Sequence, residues 1–445
     1  MARAIRGPRA LFLGVDLGTS GVRVAAIDDT GRVRGTIARQ WPPGGAMDPG
    51  AWNRLTLDLL ARLLRRIDRT RVRGLAIDGT SGTVMLCGSC GTPRGLALAY
   101  DDDRARDEAA RVAAIATASA ATGATGGPAK LLWLLAHRFT PARALPQAAF
   151  VSGRLTGCYA VCDEHNALKL GAHGQHWLPW LRTLRLTALL PRIVPAGTRI
   201  GTLRPALCRR LGLRSPPWVI AGTTDSTAGI LALGPLPAGT GVTTLGSTLV
   251  LKVVSPVPVE LPDMGVYSHR LGNLWLAGGA SNSGGRVLRH FFSVGEIERL
   301  SARLPCGTPT GLDYYPLLAP GERFPVRDPR LAPRLAPRPA DDAVFLQGLM
   351  EGLAAIERLG YELLALHGAP FPASVITLGG GARNRAWQTI RAGTLGIPVV
   401  SAKGSAAVGA ARLAQWGLRG SWRQGRAQGK GLSWALRCGR RTWNK

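Results

Sequence analysis

Residues 11–28 read LFLGVDLGTSGVRVAAID, and this stretch decides the fold. LFLGVD (11–16) is apolar and β-prone, and LGTSG (17–21) is a turn of glycines and small hydroxyl residues. VRVAAID (22–28) then alternates as a half-buried strand does. The turn signal DTGR (29–32) leads into VRGTIARQW (33–41), which predicts a third, antiparallel strand. Working outward, an amphipathic segment over 51–67 predicts a helix. VRGLAIDGT (72–80) predicts a strand ending in a Gly/Ser/Thr turn, and VMLC (84–87) with LALAY (96–100) a further hairpin. Three antiparallel strands followed by more strands and helices specify a mixed α/β sheet.

The same order returns later in the chain. WVIAGTTDSTAGILALG (218–234) reads as a strand, a polar turn and a helix of small residues. GVTTLGSTLVLKVVS (241–255) is again strand, turn, strand, and NLWLAGGAS (273–281) supplies a third strand. LGST (245–248) lies between strands as LGTS (17–20) does, which predicts a duplicated core. A long periodic helix (345–368) and SVITLGGGARNRAWQTIRAG (374–393), a strand, triple-glycine turn and helix, complete the second half. The Pro- and Arg-rich stretch 319–342 reads as a loop or an extended linker. GPLPAG (234–239) breaks the pattern and places a domain boundary near Pro235 to Ala238.

Composition bounds the class of protein. A chain of 445 residues suits two or three domains, and its 46% hydrophobic content is enough for each to bury a core. No apolar run reaches the roughly 18–20 residues that span a bilayer, and MARAIRGPRA at the start lacks a signal peptide's apolar region. The expectation is a soluble, cytoplasmic protein without a membrane partner. Seven scattered cysteines, an odd number, predict a reducing compartment rather than a disulfide scaffold. Cys87 and Cys90 have C-x-x-C spacing but Cys158 and Cys162 do not, so a structural zinc is not expected. His165, His173 and His176 fit no common zinc spacing either and read as a substrate-domain loop. The net charge of +29 is spread along the chain, and no run alternates arginine with the sparse aromatics. That predicts a solvated basic surface that attracts anionic nucleotides, not a specific nucleic-acid partner. Only the tail, 420–445, is densely basic.

Three turns could carry chemistry. In VDLGTSG, Gly18, Thr19 and Ser20 offer backbone N–H groups and hydroxyls to an anion. Asp16, at the carboxyl end of its strand, is placed to hold hydrated magnesium. TTLGST repeats the device with Gly246, Ser247 and Thr248. In LGGGARN, Gly379, Gly380 and Gly381 leave the backbone bare for a flat ring, and Asn384 opens a helix whose N–H groups are free. Each turn alone reads equally as an ordinary tight turn; three in this order are far more specific. Asp225, in GTTDSTAG, is a candidate base, and it also reads as a helix N-cap.

These segments together resemble the FGGY family of carbohydrate kinases, within the actin-like ATPase superfamily. The resemblance runs from about Leu11 to about Gly417. It is carried by VDLGTSG, IDGTSGTV (77–84), YDDDR (100–104), GGPAKLLWL (126–134), AGTTDSTAG (221–229), TTLGST, GGASNSGG (278–285), LGGGARN and GAARLA (409–414). IDGTSGTV and HNALKLG (165–171) look closest to the short pentulose kinases of the ribulose and xylulose type from cyanobacteria and plants. The resemblance implies two duplicated actin-like (ribonuclease H-like) α/β domains with a cleft between them. These would be a sugar-binding domain over 10–236 and an ATP-binding domain over 237–419, followed by the basic tail. It implies ATP and Mg²⁺ as cofactors, with Asp225 as catalytic base and Asp16 and Asp225 near the metal. It places Asp16, Ser81, Asp102 and Arg104 at the sugar, although Asp101 stands where the family often has Asn or Gln. Lys130 and Trp133 match a signature of structural character. The implied reaction is transfer of the γ-phosphoryl of MgATP to a ketopentose hydroxyl, D-ribulose first and D-xylulose or another polyol as the alternative, by a monomer or homodimer. A non-catalytic actin-like ATP-binding regulator is the reading from a different class.

Overall fold

The computed structural model describes residues 10–117, 119–137, 142–305 and 307–420, so the basic tail from 421 onward lies outside the described residues. The described chain divides into two compact units, each built on a six-stranded sheet.

The first unit runs to Gly234. Its sheet contains β1 (Leu11–Leu17), β2 (Gly21–Asp28), β3 (Val33–Gln40), β4 (Val72–Gly79) and β5 (Trp218–Thr224). The spatial order is β5-β4-β1-β2-β3, with Arg199–Thr202 added at the β5 edge. β1 pairs antiparallel with β2 and parallel with β4, and β4 pairs parallel with β5. β1 is buried at every position because both faces of the sheet are covered. One face takes α1 (Pro49–Leu64), started by Asp48, whose carboxylate accepts from Gly50 N at 2.7 Å with Pro49 at the first helical position. Trp52, Leu59, Leu60 and Leu63 of α1 are almost wholly buried against the sheet.

The second unit spans Pro235–Lys403 among the described residues. Its sheet repeats the first: β6 (Thr240–Leu245), β7 (Leu249–Ser255) and β8 (Leu274–Ser281) run antiparallel, and β9 (Ser374–Leu378) and β10 (Val399–Ser401) continue parallel from β6. The order β10-β9-β6-β7-β8 matches β5-β4-β1-β2-β3 strand for strand, which establishes the duplication expected from the paired LGTS and LGST turns.

Two expectations are corrected. VMLC (84–87) pairs not with a strand over 96–100 but with Arg143–Pro146; Leu98 meets Val84 only as an isolated bridge. The domain division also differs from 237–419, because the chain from Gly404 returns to the first unit. Helix α8 (Ala406–Arg419) packs across β1, β2 and β4. Its small residues explain this. A Cβ on Gly14 of β1 would lie 2.0 Å from Ala407 O, and one on Gly409 only 1.7 Å from Ala228 O. Sheet and helix backbones therefore touch at a distance that only Gly and Ala allow. This Ala/Gly face looks bland in the sequence, and it covers the second face of β1.

Candidate functional site

The site of the first unit is assembled at the carboxyl ends of three adjacent parallel strands. Asp16 ends β1, Asp78 lies directly across from it on β4, and Thr223 of β5 lies across from Asp78. The register of β5 shifts between Ile220 and Thr223, and Gly222 presses against Ile77 O, where a Cβ would stand at 1.7 Å. That irregularity sets the direction in which β5 delivers Asp225.

Asp225 is the first residue of helix α4 (Asp225–Leu231). The cap is Thr224, whose hydroxyl accepts from Thr227 N, so the capping role that competed for Asp225 belongs to its neighbour. Asp225 is half-buried and accepts from Ser226 N at 2.7 Å. Burial outweighs that bond, and with the nearby Asp16 charge it pushes the carboxyl up to about 6, against the pull of Lys169. A carboxylate raised to this range is a better proton acceptor than an ordinary aspartate and is still ionised near neutral pH.

Asp16 is 4% exposed. Its Oδ2 accepts from Arg23 at 3.1 Å, while Oδ1 accepts from no described donor. Arg23 also donates to Ser20 Oγ at 3.2 Å, tying the first glycine turn to the carboxylate. Thr19 and Ser20 are exposed, and Gly18 closes the turn by donating to Gly21 O while accepting from Trp41 Nε1 at 2.9 Å.

Asp78 was not singled out in the sequence, where IDGTSGTV drew attention to Ser81. It is fully buried, and neither carboxyl oxygen has a described donor. Its carboxyl and that of Asp16 face each other, and only a proton between them makes that contact favourable. Burial first, then the Asp16 and Asp225 charges, holds Asp78 well above the usual carboxylate range. Asp78 therefore holds its proton to higher pH than an ordinary aspartate does. The signal for it lay in the strand register: Asp16 and Asp78 occupy equivalent ends of neighbouring parallel strands.

Ser81 is half-buried, in a turn fixed by Thr80, which donates from both N and Oγ1 to Gln147 Oε1. Lys130 is fully buried beneath it, donating to Gly82 O at 3.1 Å and to Ala99 O. One ammonium thus clamps the Ser81 turn to the segment that begins at Tyr100, which agrees with the structural character expected of Lys130. Burial, and next the Lys169 charge, pushes Lys130 down to about 8. Asp102 and Arg104 engage each other at 2.8 Å, and Arg104 stacks 5.2 Å from the Trp133 ring centroid. The member of YDDDR that feels Asp225 is instead Tyr100, whose phenol is raised by burial and then by Asp101 and Asp225. His165 Nδ1 lies 2.7 Å from Thr223 Oγ1.

The second unit holds the other two turns. Gly246 O accepts from Gly285 N, Ser247 O from Arg286 N, and Ser247 Oγ from Arg289 at 3.0 Å. The turn is thus pinned to α5 (Gly285–Phe291). Gly379 has φ +88, and a Cβ there would lie 2.6 Å from Leu245 O. Gly380 faces open space, and Gly381 packs on Trp387 and Leu245. Asn384 caps α7 (Arg385–Leu395), accepting from Trp387 N at 3.0 Å and donating to Ser301 Oγ. Behind these turns Arg391 binds Glu357 through two nitrogens at 2.5 and 2.7 Å, wholly buried. Thr243 of β6 and Thr377 of β9 hydrogen-bond to this pair, so it links the two strands that carry the turns.

Among the described residues no group of three His, Cys, Asp or Glu side chains forms a metal cluster. The donors at Asp16 still fit magnesium: a buried carboxylate oxygen without a partner, beside a second carboxylate, suits a hard cation that keeps several waters.

Comparison with known proteins bears on this arrangement. Residues 241–418 match the FGGY family of carbohydrate kinases, C-terminal domain. Over nearly all its length the chain is also similar to xylulose kinases. That of Escherichia coli K12 is 25% identical, the alignment covering 91% of this chain and 90% of the relative. That of Staphylococcus epidermidis is 23% identical over 92% and 88%. The xylulose kinase structure from Rhodospirillum rubrum superposes with a TM-score of 0.80 at 22% identity, covering 93% of this chain and 91% of that one. The two-sheet architecture is the actin-like fold of FGGY kinase structures. No helix among the described residues is long and apolar enough to cross a membrane.

Proposed function

We propose that the chain is an ATP-dependent carbohydrate kinase with Asp225 as the base that activates the acceptor hydroxyl. The observation that carries this reading is the state of Asp225. It leads a helix that Thr224 caps, it is half-buried rather than packed away, and burial lifts it to about 6. Only one of its oxygens is spent on the helix, in accepting from Ser226 N.

The first unit is assigned the acceptor. Ser81, whose hydroxyl makes no hydrogen bond to a described residue, and the ring of Tyr100 are offered to a polyhydroxy substrate. Asp78 lies directly across from Asp16 on the neighbouring strand, and Arg23 holds Asp16 Oδ2. The second unit is assigned the nucleotide: Gly246, Ser247 and Thr248 for phosphates, Gly379, Gly380, Gly381 and Asn384 for the base and ribose. Bound magnesium, held through Asp16 and Asp225, supplies charge neutralisation of the transferring phosphoryl group. Asp225 accepts the hydroxyl proton as the oxygen–phosphorus bond forms, and most of the rate gain comes from positioning.

The acceptor is a ketopentose in this reading. The motifs IDGTSGTV and HNALKLG favour D-ribulose, whereas the relatives named above favour D-xylulose, which is the second reading. An ADP-release assay over pentuloses, hexuloses and polyols at matched concentration separates them. The expected result is a kcat/KM for one ketopentose at least about tenfold above every other acceptor. ADP release that no acceptor stimulates would support the non-catalytic ATP-binding regulator instead.

A further inference from the structure

Lys169 follows the short helix α3 (Glu164–Ala167). That helix is stapled to β5 two residues before Asp225: Asn166 Nδ2 donates to Thr223 O at 3.0 Å and to Asp163 Oδ2 at 2.8 Å, and His165 Nδ1 meets Thr223 Oγ1. The position of Lys169 is therefore referenced to the strand that delivers the base.

Its side chain is half-buried and runs over Gly82. Gly82 has φ +92, and a Cβ there would stand 3.1 Å from Lys169 Cδ, so the glycine keeps the path of the lysine stem clear. The Nζ reaches Ser81 O at 3.5 Å, a long contact. No described carboxylate forms an ion pair with it, although its charge is felt by Asp225 on one side and by Lys130 on the other. An ammonium has three donors and no acceptor, and a half-buried one with donors unspent beside two substrate-facing groups is arranged for an incoming oxygen. A lysine held only for structure would be expected to close an ion pair with Asp225 or to make more than one carbonyl bond, as Lys130 does with Gly82 and Ala99.

We infer that Lys169 contacts the acceptor, donating a hydrogen bond from Nζ to a carbonyl or hydroxyl oxygen of the sugar next to the group that Asp225 deprotonates. The assignment rests on the kinase reading and deepens it. Lys169 is a specificity residue: it selects acceptors with an oxygen at that place over the analogue that lacks it, because the analogue leaves a donor of the ammonium unmatched. It also offsets the negative charge of Asp225 beside a neutral substrate.

The test is steady-state kinetics of the full chain with ATP, the best acceptor from the panel and its mono-deoxy analogues. Lys169→Met is expected to raise KM for the acceptor by about 10- to 100-fold while KM for ATP moves less than about twofold. Lys169→Arg, which keeps the charge and donors, is expected to recover part of that loss. The wild type should discriminate against one deoxy analogue, and Lys169→Met should treat that analogue and the parent sugar nearly alike. A purely structural role would not erase one deoxy penalty selectively. An acceptor KM within about twofold of wild type in folded Lys169→Met overturns the assignment. So does an unchanged deoxy penalty, or a parallel rise in both KM values. Should Lys169→Met fail to fold, Lys169→Leu, which also lacks a donor, carries the same comparison. A wild type inert toward every acceptor contradicts the kinase reading itself, whereas an active wild type with unmoved variants contradicts only the role of Lys169.

Discussion

At the residue scale, three aspartates on neighbouring strand ends have three different states. Asp16 is paired to Arg23, Asp225 is lifted to about 6, and Asp78 is held well above the usual carboxylate range by burial. Environment alone separates them, since the side chain is the same. Asp78 allows a direct check by stability. Its folded carboxyl lies well above the ordinary 3.8, so the folded state binds the proton more tightly than the unfolded state. The stability this contributes is complete below about pH 4 and is lost as pH rises toward the folded value. Asp78→Asn retains a donor toward Asp16 and removes that dependence. Its melting temperature is expected to exceed the wild type's by a margin that widens from pH 5 to pH 8, measured without nucleotide or magnesium. A margin that stays constant or reverses with pH would mean that Asp78 is ionised.

At the element scale, adjacent glycines of the triple-glycine turn separate folding from binding. Gly379 needs its left-handed backbone and has Leu245 O where a side chain would go; Gly380 faces open space. Gly379→Ala is therefore expected to destabilise the fold, by about 1–3 kcal/mol in chemical denaturation. Gly380→Leu is expected to keep wild-type stability and raise KM for ATP at least about tenfold. Unaltered ATP kinetics in Gly380→Leu would move the nucleotide elsewhere. The turns themselves were legible in the sequence, because glycine and hydroxyl residues between alternating strands have a local meaning. The support behind them was not. Arg391, Glu357, Thr243 and Thr377 come from two helices and two strands, and no short-range pattern pairs an arginine with a glutamate 34 residues away.

At the scale of the whole molecule, duplication was the most readable property. LGTS and LGST mark equivalent turns, and the two sheets repeat one strand order. The return of α8 to the first sheet was not readable: the Ala/Gly face of 406–419 fits any close-packed backbone, and its partner, Gly14, lies almost 400 residues earlier. Site residues divide the same way. Asp225 and Asp16 stand in motifs that reveal them. Asp78 comes to light only through its parallel register with Asp16, Arg23 through its place opposite Asp16 on β2, and Lys169 through the packing of α3 on β5. The net charge of +29 found no specific place in the site, where Arg23, Lys130 and Lys169 are the near cations.

The central claim is that Asp225 takes the proton of an acceptor hydroxyl, and one measurement addresses it most directly. Phosphorylated sugar formed from ATP is followed for the wild type and Asp225→Asn from pH 5 to pH 9. The account predicts a wild-type kcat/KM that rises with pH to a plateau with an apparent pKa of about 6, because only the ionised carboxylate accepts a proton. Asp225→Asn should fold, bind ATP as the wild type does, and turn over at least about 100-fold more slowly at every pH. Product formation by Asp225→Asn at near wild-type rate, with the same rise in activity between pH 5 and pH 7, would contradict the account.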